Sequence, residues 1–291
     1  MSNIPKHSCV VGLCVKNNAV GLPKVFENLS KFELLFDKFL ILAYYDKSKD
    51  NSLELLILLS KKYNLHCKII NANCIIPDSK NRTVNIANAR NYILKYIYNY
   101  GDDFDLFAMM DSNAYSCQGD IKLDVIEKYL KDEELYNGWD GLSFARNPYY
   151  DTWAYSDDVF QLGCWTYPKD VSSNEYTKIL TYMDHINERI KNTLHNPSNK
   201  GKLIPVDSAF CGFAIYKKEV FRDCSYEGIT TLNYMNKELL IKNLNTYKLD
   251  ITNGIKIQQD CEHRQFHMMA KQKNGARIMV ACDQAFEEYE R

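Results

Sequence analysis

A mainly parallel, three-layer α/β/α domain is the architecture this sequence of 291 residues predicts. Two observations predict it. Short apolar runs without alternation, the mark of strands buried on both faces, recur through the first half. Segments with helical spacing lie between them, so the chain reads as repeated βα units. No internal repeat and no linker-like stretch divides it, so a single domain over 1–291 is expected, with a nucleotide-binding half at 1–115 and an acceptor half at 116–291.

Ser8–Val15 (SCVVGLCV) is the first buried strand. Pro23 is suited to the first turn of the next helix, where Val25, Phe26, Leu29 and Phe32 share a face. Phe39–Tyr45 (FLILAYY) is the second strand, and Asp50-Asn51-Ser52 can cap a helix over Leu53–Tyr63. His66–Asn71 is a third strand. Ala87–Tyr100 is a helix that Gly101 can stop. Phe104–Met110 (FDLFAMM) is the fourth strand and runs into Asp111-Ser112-Asn113. Further on, Trp139–Ala145, Ser208–Tyr216 and Ala276–Ala281 have strand character, and Asp260–Lys271 can form a helix. The aromatic and polar stretch from about 148 to 202, with a helix near Glu175–Leu194, reads as an insertion covering one face.

Composition narrows the function. Lys plus Arg number 36 against 37 Asp plus Glu, which gives no broad basic face for nucleic acid. Apolar runs fall far short of the roughly 20 residues a bilayer needs, and no secretory leader is visible, so a cytoplasmic protein is expected. None of the ten cysteines forms a CxxC pair, which argues against a zinc knuckle and a thioredoxin-type motif. The sequence has no G-x-G-x-x-G opening a helix, no G-x-x-x-x-G-K-[ST] loop and no G-x-S-x-G elbow. Nicotinamide dehydrogenases, P-loop NTPases and the common serine hydrolases are thereby disfavoured.

In an open parallel sheet, ligands bind beyond the carboxyl ends of the strands. Three polar clusters follow apolar strands directly: Lys16-Asn17-Asn18, Asp46-Lys47-Ser48-Lys49-Asp50-Asn51-Ser52, and Asp111-Ser112-Asn113. A carboxylate with a second oxygen ligand two residues on, as in Asp111 and Asn113, can hold a hard cation against a diphosphate. His263 and His267, at i and i+4, share a helical face, and two imidazoles could complete a transition-metal shell.

These segments resemble those of GT-A-fold, nucleotide-sugar-dependent glycosyltransferases. The Asp46–Ser52 loop is similar to the family's D-x-S-x-D-x-[TS] nucleotide loop. Arg82 with Ala87-Asn88-Ala89-Arg90-Asn91-Tyr92-Ile93-Leu94 is similar to its arginine and "ARN-hydrophobic" helix. Asp111-Ser112-Asn113 stands where the family has D-x-D, with Asn113 replacing the second carboxylate. Asp260-Cys261-Glu262-His263, followed by His267, is similar to the late "E-D-x-E-H" segment, with Gln259 in place of Glu.

The resemblance implies a nucleotide-sugar donor, with UDP-sugar favoured, a glycan, protein or other hydroxyl acceptor, and inverting transfer. A homodimer is left open. It implies that Asp46, Ser48 and Asp50 meet base and ribose beside Lys16 and Asn17, and that Arg90 and Arg82 meet the diphosphate. It implies that Asp111 and Asn113 hold Mn²⁺ or Mg²⁺, with His263 and His267 completing the shell. Inversion requires a general base, for which Asp260, then Glu262, then Asp207 are the candidates. The aromatic segment from Trp139-Asp140-Gly141 through Arg146-Asn147-Pro148-Tyr149-Tyr150-Asp151-Thr152-Trp153 is a candidate sugar and acceptor platform, with Asp140 and Asp151 accepting sugar hydroxyls; Trp139, Tyr149 and Trp153 fit the core equally well. Two other outcomes fit the residues less well. One is a sugar-phosphate nucleotidylyltransferase, whose Gly-rich opening loop is missing after Val15. The other is a catalytically inactive carbohydrate-binding or scaffolding relative.

Overall fold

The computed structural model describes residues 7–72, 79–100, 103–165, 175–249 and 259–288. Eight strands form one mixed sheet: β1 (Ser8–Val15), β2 (Lys38–Tyr45), β3 (Cys67–Asn71), β4 (Leu106–Asp111), β5 (Gly141–Phe144), β6 (Leu203–Pro205), β7 (Phe213–Lys217) and β8 (Ile278–Ala281). Their order is β3-β2-β1-β4-β7-β5-β8-β6. The β3-β2-β1-β4 half is parallel, and β7 enters antiparallel to both β4 and β5.

Helices cover both faces. On one lie α1 (Leu22–Phe32), α2 (Ser52–Lys62), α4 (Leu123–Lys131) and α5 (Glu133–Asn137). On the other lie α3 (Arg82–Tyr100), α6 (Glu175–Thr193), α7 (Lys237–Thr246) and α8 (Glu262–Asn274). The strands divide their side chains between the layers with period two. Val11, Leu13, Ile41, Ala108 and Ile215 join the first core, and Val10, Leu42, Phe107, Met109 and Tyr216 the second. Each fully buried Val, Leu, Ile or Phe contributes about 1.5–3 kcal/mol, so these two cores hold the sheet.

Register places the site. Val15 pairs with Tyr45, Tyr45 with Asn71, and Cys14 with Asp111, so β1 to β4 end at one edge. The loops after β1, β2 and β4 therefore leave the sheet side by side. Phe213 pairs with Met110, so the segment entering β7 reaches the same edge.

Three elements differ most from expectation. The strand expected from Ser208 starts at Phe213, because Cys211 and Gly212 are left-handed, with φ of 54° and 86°. A Cβ at Gly212 would also stand 2.7 Å from the Ser116 Cβ. The α3 helix begins at Arg82 rather than Ala87, which puts Arg82 and Arg90 on one helix about 12 Å apart along its axis. The α8 helix starts at Glu262 and runs to Asn274, where Gly275 (φ 67°) ends it.

Helices α4, α5 and α7 and strand β6 had no expectation. They are short; α5 and α7 start at side-chain caps, Asp132 accepting the Leu135 N–H and Asn236 the Glu238 and Leu239 N–H groups. Residues 166–174 of the expected insertion and Cys74 lie outside the described residues. The nine described cysteines are free thiols. Among the described residues no helix is long and apolar enough to cross a membrane.

Candidate active site

A cavity of about 790 Å³ opens at the edge where the parallel strands end. Lys16, Asn17, Asp46, Arg82, Arg90, Asp111, Asn113, Asp151, Trp153 and Glu262 line it. Ser48, Asp50, Asp140, Asp207, Asp260, His263 and His267 do not.

Ser48 and Asp50 knit the first two loops together instead. Asn17, itself left-handed at φ 54°, donates its N–H to Ser48 Oγ at 3.0 Å and accepts the Lys49 N–H through Oδ1 at 2.6 Å. The Ala19 N–H reaches Asp50 Oδ2 at 3.0 Å, and the Ser52 hydroxyl reaches Asp50 Oδ1 at 2.6 Å. Burial opposes the Asp50 charge, but these hydrogen bonds outweigh it and hold the carboxyl below its ordinary value. The Lys16 ammonium caps Asp46 across the same junction.

Arg90 is the centre of the polar floor. Its guanidinium meets Asp111 Oδ1 at 3.0 Å, and its Nε lies 3.1 Å from Glu262 Oε1. That second contact is an ion pair by distance, although the Nε hydrogen is not aimed at the oxygen. The Phe210 ring lies 4.6 Å from the guanidinium carbon. Burial opposes the Arg90 charge, but Glu262 and Asp111 outweigh it and keep it protonated. Burial raises both carboxyls above their ordinary values, with Arg90 opposing. The charge of Arg82, exposed on the first turn of α3, also acts on both carboxylates and opposes the rise.

The four residues proposed as metal ligands do not fit a divalent cation. Asn113 Oδ1 faces its own loop, accepting the Tyr115 and Ser116 N–H groups at 2.8 Å each and lying 3.0 Å from the Ser116 hydroxyl. Its two lone pairs are thus committed. Asp111 offers Oδ1 to Arg90, and Oδ2 stands 3.2 Å from Ser116 Oγ. His263 and His267 do share a face of α8, but that face packs inward. His263 stacks on Phe210 at 3.7 Å with its Nε2 against Arg90. His267 is held by Ser208 Oγ at 3.1 Å and Tyr216 Oη at 3.0 Å. Among the described residues no three His, Cys, Asp or Glu side chains converge on a common point.

Both imidazoles are neutral. His267 is pushed down to about 3, first by burial and then by the charges of Arg90 and Arg264. Between pH 6.5 and about 3 the unfolded chain therefore binds a proton that the folded chain refuses. The stabilisation is complete above pH 6.5 and is lost as pH falls, by at most about 1.4 kcal/mol per pH unit. Other groups titrate in this window, so the quantity to measure is a difference between proteins. On going from pH 6.5 to 5, urea unfolding of His267→Gln should lose up to about 2 kcal/mol less than wild type. Equal losses would mean that His267 is not buried neutral.

The remaining candidates are corrected by their partners. Asp260 is ion-paired with Arg264, whose Nε is 3.1 Å from both of its oxygens. Arg264 in turn binds the backbone carbonyls of Trp153 and Tyr155, so Asp260 braces that segment from behind. Asp207 is bound by Lys271 and Gln161 outside the cavity. Asp140 precedes β5 at the opposite end of the sheet, where Arg277 grips both of its oxygens at 2.8 Å. Trp139 is fully buried in the first core and Tyr149 is half-buried against the second; of the expected platform, Tyr150, Asp151 and Trp153 line the cavity.

Sequence reasoning missed Lys80, Trp165 and Phe210, which also line the cavity, while Tyr150 of the expected aromatic segment lines it as well. The Tyr150 hydroxyl accepts from Asn113 Nδ2 at 3.3 Å and ties this wall to the β4 loop. The position of Phe210 beside the Cys211-Gly212 break was the available signal, since such a break lets a neighbouring side chain turn into a site.

No family model matches the sequence, and neither does any curated protein. Solved structures similar to it include TarS of S. aureus, at TM-score 0.47 and 15% identity over 96% of this chain and 36% of that one. TarS 1–349 in complex with UDP-GlcNAc is similar at TM-score 0.44 and 16% identity, over 97% of this chain and 60% of that one. The M. tuberculosis glucosyl-3-phosphoglycerate synthase is similar at TM-score 0.40 and 12% identity, over 84% and 68%. The chain spans about a third of the length of the TarS structure it matches.

Proposed function

We propose that this chain is a glycosyltransferase that moves a sugar from a nucleotide-diphosphate donor, a UDP-sugar first, to a hydroxyl acceptor with inversion. One observation carries the reading. The loops after β1, β2 and β4 and the first turn of α3 all open into one cavity at the carboxyl edge of the sheet. Asn17 and the Lys16–Asp46 pair supply polar contacts for a base and ribose. Lys80 and Arg82 stand at the amino-terminal end of α3, where the helix dipole adds to their charge and a diphosphate is favoured. Trp153 and Trp165 offer apolar faces to a sugar ring. The developing charge on the leaving diphosphate is met by arginine and lysine.

The test is a panel of UDP-, GDP- and ADP-sugars with the full chain, in Mn²⁺ and in EDTA, read by thermal shift and by release of nucleoside diphosphate. One donor should raise the melting temperature and be slowly hydrolysed, with affinity in EDTA within about threefold of that in Mn²⁺, since that is under about 0.7 kcal/mol. Stabilisation without turnover would turn the reading to a binding relative. Pyrophosphate release from a nucleoside triphosphate and a sugar phosphate would turn it to a nucleotidylyltransferase. Binding abolished by EDTA would restore a resident cation.

A further inference from the structure

We infer that Asp151 is the general base of this cavity, accepting the proton of the acceptor hydroxyl as its oxygen attacks the anomeric carbon. The inference rests on the glycosyltransferase reading above and names a residue in a role that the late acidic segment was expected to fill.

Among the described residues four carboxylates line the cavity: Asp46, Asp111, Asp151 and Glu262. A general base must have oxygens free of cations, or its proton affinity is already spent on an ion pair. Asp46 is capped by Lys16, and Asp111 and Glu262 flank Arg90. Among the described residues Asp151 has no cation within ion-pair distance. The other expected bases, Asp260 and Asp207, are tied to Arg264 and Lys271 away from the cavity.

The fold holds Asp151 in place. It caps the short turn Thr152–Ala154, with Oδ1 accepting the Ala154 N–H at 3.2 Å, while Oδ2 lies 3.9 Å from the Cys261 thiol at the start of α8. The preceding Tyr150 is fixed on both sides: its N–H meets Cys211 Sγ at 3.4 Å, and its hydroxyl meets Asn113. Arg264, braced by Asp260, grips the Trp153 carbonyl two residues beyond. Asp151 is thereby held on a fixed segment of the cavity lining, together with Trp153.

The groups around it set its proton affinity. Asp111 faces it from β4, Glu262 and Cys261 from α8, and Arg90 from α3. Cys164, Cys211, Tyr149 and Tyr150 are the other titratable groups that interact with it among the described residues. Burial, then Asp111 and Glu262, push the Asp151 carboxyl up to about 7, with Arg90 opposing. A base with this affinity is matched to a reaction near neutral pH. In the step, the acceptor O–H bond breaks and its proton passes to an Asp151 oxygen. The acceptor oxygen bonds to the anomeric carbon. The bond from that carbon to the phosphate oxygen breaks, leaving its electron pair on the nucleoside diphosphate. Water removes the proton from Asp151 after the product departs.

The experiment compares wild type, Asp151→Asn and Asp151→Glu as full chains, with the donor found active above and water as the hydroxyl acceptor, read as release of nucleoside diphosphate. Wild-type kcat/KM should rise with pH through about 7. Asp151→Asn should lose about 10²–10⁴-fold in transfer and lose that rise, while donor still raises its melting temperature as in wild type. Asp151→Glu should retain a measurable rate with the rise displaced. Asp151→Asn within threefold of wild type, with its pH profile intact, would overturn the inference and leave the glycosyltransferase reading standing. A wild-type protein that turns over no donor would overturn the reading, and this inference with it.

Discussion

Replacing Arg90 with methionine is expected to destabilise the protein by about 3–5 kcal/mol, the range found when one partner of a buried ion pair is removed. The guanidinium is only 6% exposed and separates two carboxylates, Asp111 and Glu262, that are 21% and 8% exposed. Without it they face each other across a low-dielectric floor, and one must take up a proton or draw in water. Methionine keeps the contact with Phe210, so lost packing is not the main effect. For a chain of this size the loss corresponds to a fall of about 5–8 °C in melting temperature. The triple change Arg90→Met, Asp111→Asn, Glu262→Gln should regain part of it, because the uncompensated charges are then gone. A single variant within 1 kcal/mol of wild type would show that water already screens the cluster. Donor binding should weaken as well, since Asp111 and Glu262 would no longer be held back from a diphosphate.

The parallel half of the fold was legible because its strands are buried on both faces and so read as unbroken apolar runs. Cys9 to Val15 and Phe39 to Tyr45 could hardly be anything else. The strand-end loops followed from those runs, and with them the cavity residues Lys16, Asn17, Asp46 and Asp111. What failed was partnership at long range. Asp140 meets Arg277, 137 residues away, and no local pattern announces such a pair. His263 and His267 were placed on one face by their spacing, but Phe210 and Tyr216 decide that this face looks inward. Two signals were local. Asn113 followed by Ser116 is the spacing at which an Asn side chain caps its own turn, leaving no oxygen for a ligand. Asp260 followed by Arg264 is the i, i+4 spacing of an ion pair, which counts against a free base at Asp260.

That pair gives the second large effect. Asp260→Ala should cost about 3–5 kcal/mol, because it leaves the Arg264 guanidinium, 1% exposed, without its counter-charge. The carbonyls of Trp153 and Tyr155 still accept from it, but neutral oxygens do not replace a carboxylate. Arg264→Met should cost about as much, and the double variant far less than the sum, with a coupling of at least about 1 kcal/mol in the cycle. Additive losses would show that the two side chains do not act as a unit. The pH profile separates a brace from a base. Asp260→Asn removes the charge yet keeps the shape, so it should lower the melting temperature while the rise of kcat/KM near pH 7 stays in place. Were Asp260 the base, that rise would vanish in Asp260→Asn and survive in Asp151→Asn. The two asparagine variants, measured side by side, thus assign the proton to one carboxylate or the other, because Arg264 holds Asp260 behind the wall that Asp151 faces.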